Sequence, residues 1–281
     1  MLRNLSCVLF GAMAALLLAA TVGVLVIGLD ECLAGGRSIR LVAFDAVMPV
    51  GASRTRVGFA IQDADRDVPL SPPFLFTKFP DGRTELAWIS SKGLGASEHA
   101  GRFPPGPASY EVHFGDTDPR MEVSARGTLW VEPPDEAVVW VDAAALLKPA
   151  PAQDVAGATS FPSAREAAET LKGLAQDRRV VYLVPWPARD YGVARHQLAA
   201  AGYPPGPALC IQPGQEADFL RAARHNWRQV GAALVCTPAV AQAAKVLKIR
   251  TLGVPSARPT PAEAAGPPGT WAEAATALAS K

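Results

Sequence analysis

Ala137-Val138-Val139-Trp140-Val141, followed by Asp142, is the stretch on which the fold turns. Five consecutive apolar residues leave no polar face, so the run predicts a strand covered on both sides, as in a parallel sheet under helices. Pro133-Pro134-Asp135 stands just before it and ends the pattern that comes earlier. Downstream, strand and helix alternate: helix 163–176, strand 180–184, helix 191–201, strand 208–211, helix 216–229, strand 232–236, helix 239–247 and strand 251–254. Ser163 followed by Glu166 reads as a capping box at the first of these helices. The alternation predicts a doubly wound parallel α/β domain over 136–281. The stretch 255–269 is rich in Pro, Ala and Gly and reads as an extended connection, with a short closing helix at Trp271–Ala279.

Upstream, over 38–132, the period is two. Arg40-Leu41-Val42-Ala43-Phe44 and Arg56-Val57-Gly58-Phe59-Ala60-Ile61 alternate as half-buried strands do. Further strand-like runs lie at 74–79, 84–90, 110–114 and 123–131, separated by Pro80-Asp81-Gly82, Gly93-Leu94-Gly95, Pro104-Pro105-Gly106-Pro107 and Gly115-Asp116. Short strands at about 8–12-residue spacing predict an antiparallel β-sandwich. The whole chain therefore reads as α/β plus all-β.

Residues 1–37 differ again. Arg3 and Asp30 enclose a stretch with no charge, and the run from Val8 to Leu29 is long enough, at about 22 residues, to cross a bilayer core. A single-pass transmembrane helix is the expectation, with the globular part outside the cytoplasm and the membrane as one partner. A cleaved signal, with Cys32-Leu33-Ala34 before Gly35 as the cut site, is the alternative and would make the protein secreted.

Composition narrows the function classes. The 281 residues carry 27 basic and 26 acidic side chains, a formal charge of +1, so no domain-wide basic excess exists to hold nucleic acid. Four cysteines are too few for a disulfide-built mini-domain. Cys210 and Cys236 fall on strands that the usual order 5-4-1-2-3 separates by about 14 Å, so both are expected as free, buried thiols.

A family resemblance rests on two further stretches. Val180-Val181-Tyr182-Leu183-Val184-Pro185-Trp186-Pro187 looks like the second-motif strand of the lipin-type branch of the haloacid-dehalogenase-like (HAD) superfamily. Arg195, Leu198 and Gly202-Tyr203-Pro204-Pro205-Gly206-Pro207 look like the helix and turn that follow it there. The resemblance covers roughly 138–254. It implies a magnesium phosphatase scaffold with a carboxylate nucleophile, and Asp142 stands at that position. Its implied acid/base, two residues later, is Ala144; the phosphoryl-steadying hydroxyl falls at Val184; the metal-holding fourth motif aligns with Val235-Cys236-Thr237-Pro238-Ala239-Val240. Such an arrangement lacks the carboxylates for proton transfer and for a hard cation. A catalytically degenerate domain is the expectation, with no catalytic residue, cofactor or metal, and Asp142 as a vestige. Separately, Gly106-Pro107-Ala108-Ser109-Tyr110-Glu111-Val112 resembles the tyrosine corner of immunoglobulin-like domains.

What remains is a cleft mouth at the carboxyl ends of the strands, where open α/β sheets bind ligands. Asp142, Trp186, Arg189 and Thr237 are its candidate ligand-binding residues, with Arg195, Arg221, Arg224 and Arg228 as possible lining and a protein or anionic small molecule as the partner. A residual phosphatase acting on a phospholipid or membrane-proximal phosphate is the alternative, and would need Asp154, Asp190 or Glu216 to replace the missing acids. Asp63, Asp65 and Asp67 have the spacing of a calcium-loop opening, but Val68 and Pro69 follow where such a loop needs glycine, so a solvated turn is the better reading. His113, His196 and His225 read as surface residues.

Overall fold

The computed structural model describes residues 39–64, 66, 68–70, 75–87, 89–114, 123–147, 162–185, 190–255 and 269–279. The expected membrane segment at 1–37 lies outside them; among the described residues no helix is long and apolar enough to cross a membrane.

The first part of the chain contains β1 (Ile39–Ala43), β2 (Ala46–Pro49), β3 (Arg54–Asp63), β4 (Val68–Pro69), β5 (Leu75–Lys78), β6 (Thr84–Ala87), β7 (Leu94–Ala100), β8 (Gly106–Phe114) and β9 (Val123–Glu132). β3 pairs with β1, β4 and β7 in one sheet; the other has the order β2-β9-β8-β5-β6. The inward residues of both, among them Val57, Phe59 and Ile61 from one and Leu75, Val112 and Leu129 from the other, share a single core. The period-two reading thus gives two packed sheets, with two corrections. β2 runs parallel to β9, so the layers are not wholly antiparallel. Leu94–Ala100, whose first two residues read as part of a turn in sequence, is a strand paired to β3 over seven residues. Its inward positions are Ser97 and His99, both buried and polar, so the apolar alternation that marks a strand is missing. Opposite Phe59 in that ladder stands Gly95, where a Cβ would lie 2.2 Å from the Phe59 ring.

After a turn closed by the Glu136 amide on the Pro133 carbonyl, the architecture changes. β10 (Ala137–Asp142) takes the centre of a parallel sheet with β11 (Arg179–Pro185), β12 (Ala208–Ile211), β13 (Gln229–Val235) and β14 (Thr251–Gly253), in the order β12-β11-β10-β13-β14. That is the expected order, and it explains why Val138 to Val141 are all fully buried. Helices α1 (Pro162–Leu174), α2 (Tyr191–Ala200) and α5 (Trp271–Ala279) cover Val139, Val141, Tyr182 and Val184 on one face. Helices α3 (Glu216–Arg224) and α4 (Pro238–Val246) cover Val138, Trp140, Val181 and Leu183 on the other. The winding therefore changes face between β10 and β13, and the carboxyl ends of those two strands form the switch point.

The helix signals are partly reassigned. Ser163 lies inside α1, which begins at Pro162, and is not its cap. Glu166 instead accepts the Ala272 amide of α5 at 2.9 Å, tying the two helices together. The reciprocal capping box sits at α5: Thr270 Oγ1 accepts the Glu273 amide at 3.1 Å and Glu273 Oε2 accepts the Thr270 amide at 2.7 Å. Thr270→Val is expected to cost about 1 kcal/mol, read as a lower melting temperature together with faster amide exchange in α5 than elsewhere. Unchanged α5 protection would show that docking against α1, and not the cap, holds the helix.

Candidate functional site

Asp142 ends β10 at the switch point and is 1% exposed. Its Oδ1 accepts the Ala144 amide at 3.1 Å, capping the short 3₁₀ turn Ala143–Ala145. Its Oδ2 accepts the Thr237 amide at 2.9 Å, the Thr237 hydroxyl at 2.7 Å and the Cys236 amide at 3.3 Å, with Cys236 Sγ at 3.5 Å. Thr237 is the N-cap residue of α4, yet its side chain makes no cap bond to its own helix. Thus the carboxylate from the neighbouring strand does the capping. It occupies the place at a helix N-terminus where an external anion would otherwise bind.

This brings together two of the four sequence-predicted ligand residues, Asp142 and Thr237, but as partners of one another. Trp186 and Arg189 lie outside the described residues. Of the acids that a phosphatase would need, Asp154 is also outside; Asp190 is exposed before α2; and Glu216 accepts the Gly214 amide at 3.1 Å beside its own helix. Among the described residues no group of three or more His, Cys, Asp and Glu is placed to hold a metal.

Three of the arginines expected around the mouth have other work. Arg221 pairs with Asp218 at 2.6 Å along α3. Arg224 donates to the Leu247 carbonyl at 2.9 Å, capping the end of α4, while the Arg228 side chain is exposed. Arg195 reaches away from the mouth altogether, to the β-sheets: Nη2 lies 3.2 Å from Asp45 Oδ1 and 3.1 Å from Thr128 Oγ1, and Nη1 donates to the Arg126 carbonyl at 3.2 Å.

Asp45, in the kink between β1 and β2, is the centre of that second cluster, which no local pattern announces. Its carboxylate accepts the amides of Thr128 (3.2 Å) and Ala208 (3.0 Å) and the Trp130 indole N–H (3.4 Å). The Tyr191 hydroxyl accepts the Asp45 amide at 2.7 Å and donates to the Ala208 carbonyl at 2.5 Å, with its ring edge-on to Phe44. The Tyr110 hydroxyl donates to the carbonyls of Phe44 and Gly58, 66 and 52 residues away, and not to backbone a few residues upstream as the tyrosine corner suggested by its sequence context would. Burial pushes the Asp45 carboxyl above its ordinary value, against the pull of Arg195 and the amide donors. Burial likewise drives the Tyr191 and Tyr110 hydroxyls up, so both stay neutral donors.

No family model matches the chain, and no curated protein does. Among solved structures, the chain is similar to titin M4 in its trigonal form (18% identity, TM-score 0.24, 34% of this chain and 93% of that one). It is also similar to the N-terminal Ig1-2 module of the Drosophila receptor protein tyrosine phosphatase DLAR (16%, TM-score 0.24, 37% and 59%). A third likeness is to a sialyltransferase from Photobacterium damsela (11%, TM-score 0.20, 76% and 42%). At these scores none of the three carries an argument about fold or activity.

His99 is 2% exposed, its Nδ1 is 3.0 Å from Glu85 Oε1 and its Nε2 2.9 Å from Asp81 Oδ2, and it stacks on Phe79 at 4.6 Å. Against the upward push of burial, the Arg83 amide and the His99 ring hold the Asp81 carboxyl below its usual range. Asp63 accepts the Arg66 amide at 3.0 Å, but it is the last residue of β3 and 1% exposed, so it is not the solvated turn residue expected; Asp65 and Asp67 lie outside the described residues. His196 and His225 are exposed, as read from sequence, and His113 is partly exposed, 3.4 Å from Glu111. Cys210 and Cys236 are free thiols but only partly buried, and burial pushes the Cys210 thiol up to about 12.

Proposed function

We propose that the chain is a membrane-anchored, non-catalytic binding or scaffold protein, built from an immunoglobulin-like sandwich and a degenerate HAD-like domain. One observation carries the reading. Asp142, at the position the resemblance gives to the nucleophile, is 1% exposed, with Oδ2 accepting from Cys236 and Thr237 and Oδ1 from Ala144. A nucleophilic carboxylate needs a free oxygen facing the phosphorus and a second acid for the leaving group. Here the second position is Ala144, and the Thr237 amide and hydroxyl at the start of α4 are directed at Asp142 itself.

The test uses the full chain with Mg²⁺, against an aryl phosphate and against phosphatidate in vesicles. No turnover above the buffer rate is expected. Asp142→Ala is expected to destabilise the fold by about 3 kcal/mol, because it leaves several buried donors without an acceptor. Magnesium-dependent turnover that Asp142→Asn abolishes, in a variant that still melts cooperatively, would establish the phosphatase alternative instead.

A further inference from the structure

We propose that the cleft between the outer face of β3 and β7 and the α3 side of the α/β layer binds a small amphipathic carboxylic acid. The cleft has a volume of about 780 Å³, within the range of roughly 300–1,000 Å³ that small-ligand sites occupy, and it lies between two packed layers where such sites gather. This inference rests on the binding half of the function proposed above, at a place whose lining does not include Asp142.

Three features define the ligand. The walls are apolar: Phe44, Val47 and Leu94 from the β-sheets face Leu209 and Phe219 from the α/β layer. They suit an aryl or branched alkyl body. Next, the charges in the lining are Asp45 and Arg56, and they are unequal. Asp45 is engaged by Arg195 and three N–H donors, whereas Arg56 is exposed and forms no ion pair among the described residues. Glu98 stands opposite Arg56 in the β3–β7 ladder without ion-pair contact. The uncommitted charge is therefore positive, and it calls for one anionic group.

The third feature is the edge of β12. The Tyr182 amide donates to the Pro207 carbonyl, so Pro207 turns its carbonyl toward β11. The N–H and C=O of Ala208 point the other way, to Asp45 and Tyr191. By the alternation of a strand, Cys210 repeats the sense of Ala208, so its N–H and C=O face the cleft that it lines. With the side-chain amides of Gln212, Gln215 and Asn226 around it, this edge matches a ligand bearing an amide or hydroxyl beside its carboxylate. The Cys210 thiol stays protonated at neutral pH and takes no covalent part.

N-acetylphenylalanine and N-acetylphenylalaninamide are the probes, since they differ in little except the negative charge. Titration calorimetry on the full chain in lipid nanodiscs, with empty nanodiscs as blank, should give a sub-millimolar Kd for the acid, about tenfold tighter than for the amide. Arg56→Ala should bring the acid to the affinity of the amide, and added salt should narrow the gap in the unmodified chain. Ala96→Trp, which fills the cleft from β7, should abolish binding of both while the melting temperature stays within a few degrees. The phosphatase assay on the unmodified chain reads the non-catalytic proposal independently of probe binding, so failure here and failure of that reading are separate results. Equal affinity for acid and amide, no binding of either, or binding that survives Ala96→Trp would each overturn the proposal.

Discussion

Asp45→Ala should lower the free energy of unfolding by about 3–5 kcal/mol, the range measured when one partner of a buried, hydrogen-bonded ion pair is removed. Arg195, two backbone amides and the Trp130 indole all converge on this one carboxylate. Truncation leaves the buried Ala208 amide and the Trp130 indole N–H without this acceptor and removes the carboxylate from the part-exposed Arg195. The loss should also be cooperative across the molecule, because the donors come from β9, from α2 and from the start of β12. Calorimetry would show a fall in melting temperature of roughly 10 °C for a chain of this size. A fall under 2 °C would mean that the two halves of the chain do not depend on this cluster for stability.

The same residue sets a pH dependence. Burial raises the folded-state pKa of Asp45 above its unfolded value. As pH falls, the folded chain takes up this proton before the unfolded chain does, so folding gains free energy across the interval between the two values. Above that interval the cost of keeping the buried carboxylate ionised is fully present. Asp45→Asn has no such titration. Measured from pH 7 down to pH 4, the melting temperature of the unmodified chain should therefore rise relative to that of Asp45→Asn. A gap that stays constant or closes over that range contradicts the assignment.

Gly206→Ala should be the most damaging single methyl in the α/β sheet. A Cβ at Gly206 would stand 2.0 Å from the Val180 carbonyl oxygen, and that obstacle is backbone of the adjacent strand, not a side chain that can swing away. The turn is pinned on both sides of the glycine, by the Tyr182 hydroxyl on the Pro204 carbonyl at 2.6 Å and the Tyr182 amide on Pro207 at 2.8 Å. Relief requires β12 to move off β11, and with it the Ala208 amide that Asp45 holds. A loss of at least about 3 kcal/mol is expected, typical of strain that a core cannot relax. It would be accompanied by faster exchange of the Tyr182 amide. Preserved Tyr182 protection in a folded variant would show that the turn opens without disturbing the sheet.

The two architectures and the boundary between them were legible because hydrophobic periodicity is a local property. Alternation marked β1 and β3, and the unbroken run at β10 marked a strand covered on both faces. β7 was not legible, since its inward positions carry Ser97 and His99 in place of apolar residues. The helix cap was misassigned for a related reason: Glu166 has the correct spacing from Ser163 but serves a different helix. For the candidate site, two of the four named residues, Asp142 and Thr237, meet as hydrogen-bond partners. The bonds that bury and engage the carboxylate were not visible.

From the amino-acid order alone came the all-β and α/β halves, the parallel strand order, the free cysteines and the acidic residue ending the central strand. These follow from spacing within a few residues and from the limited number of ways sheets and helices pack. Only the tertiary structure decided what the acids and arginines do. Asp142 meets its partners 94 and 95 residues away, and Asp45 meets Ala208 across 163. Whether a carboxylate is free to react or is consumed by donors depends on which distant backbone amides the fold sets against it. Side-chain chemistry at one position carries no record of that.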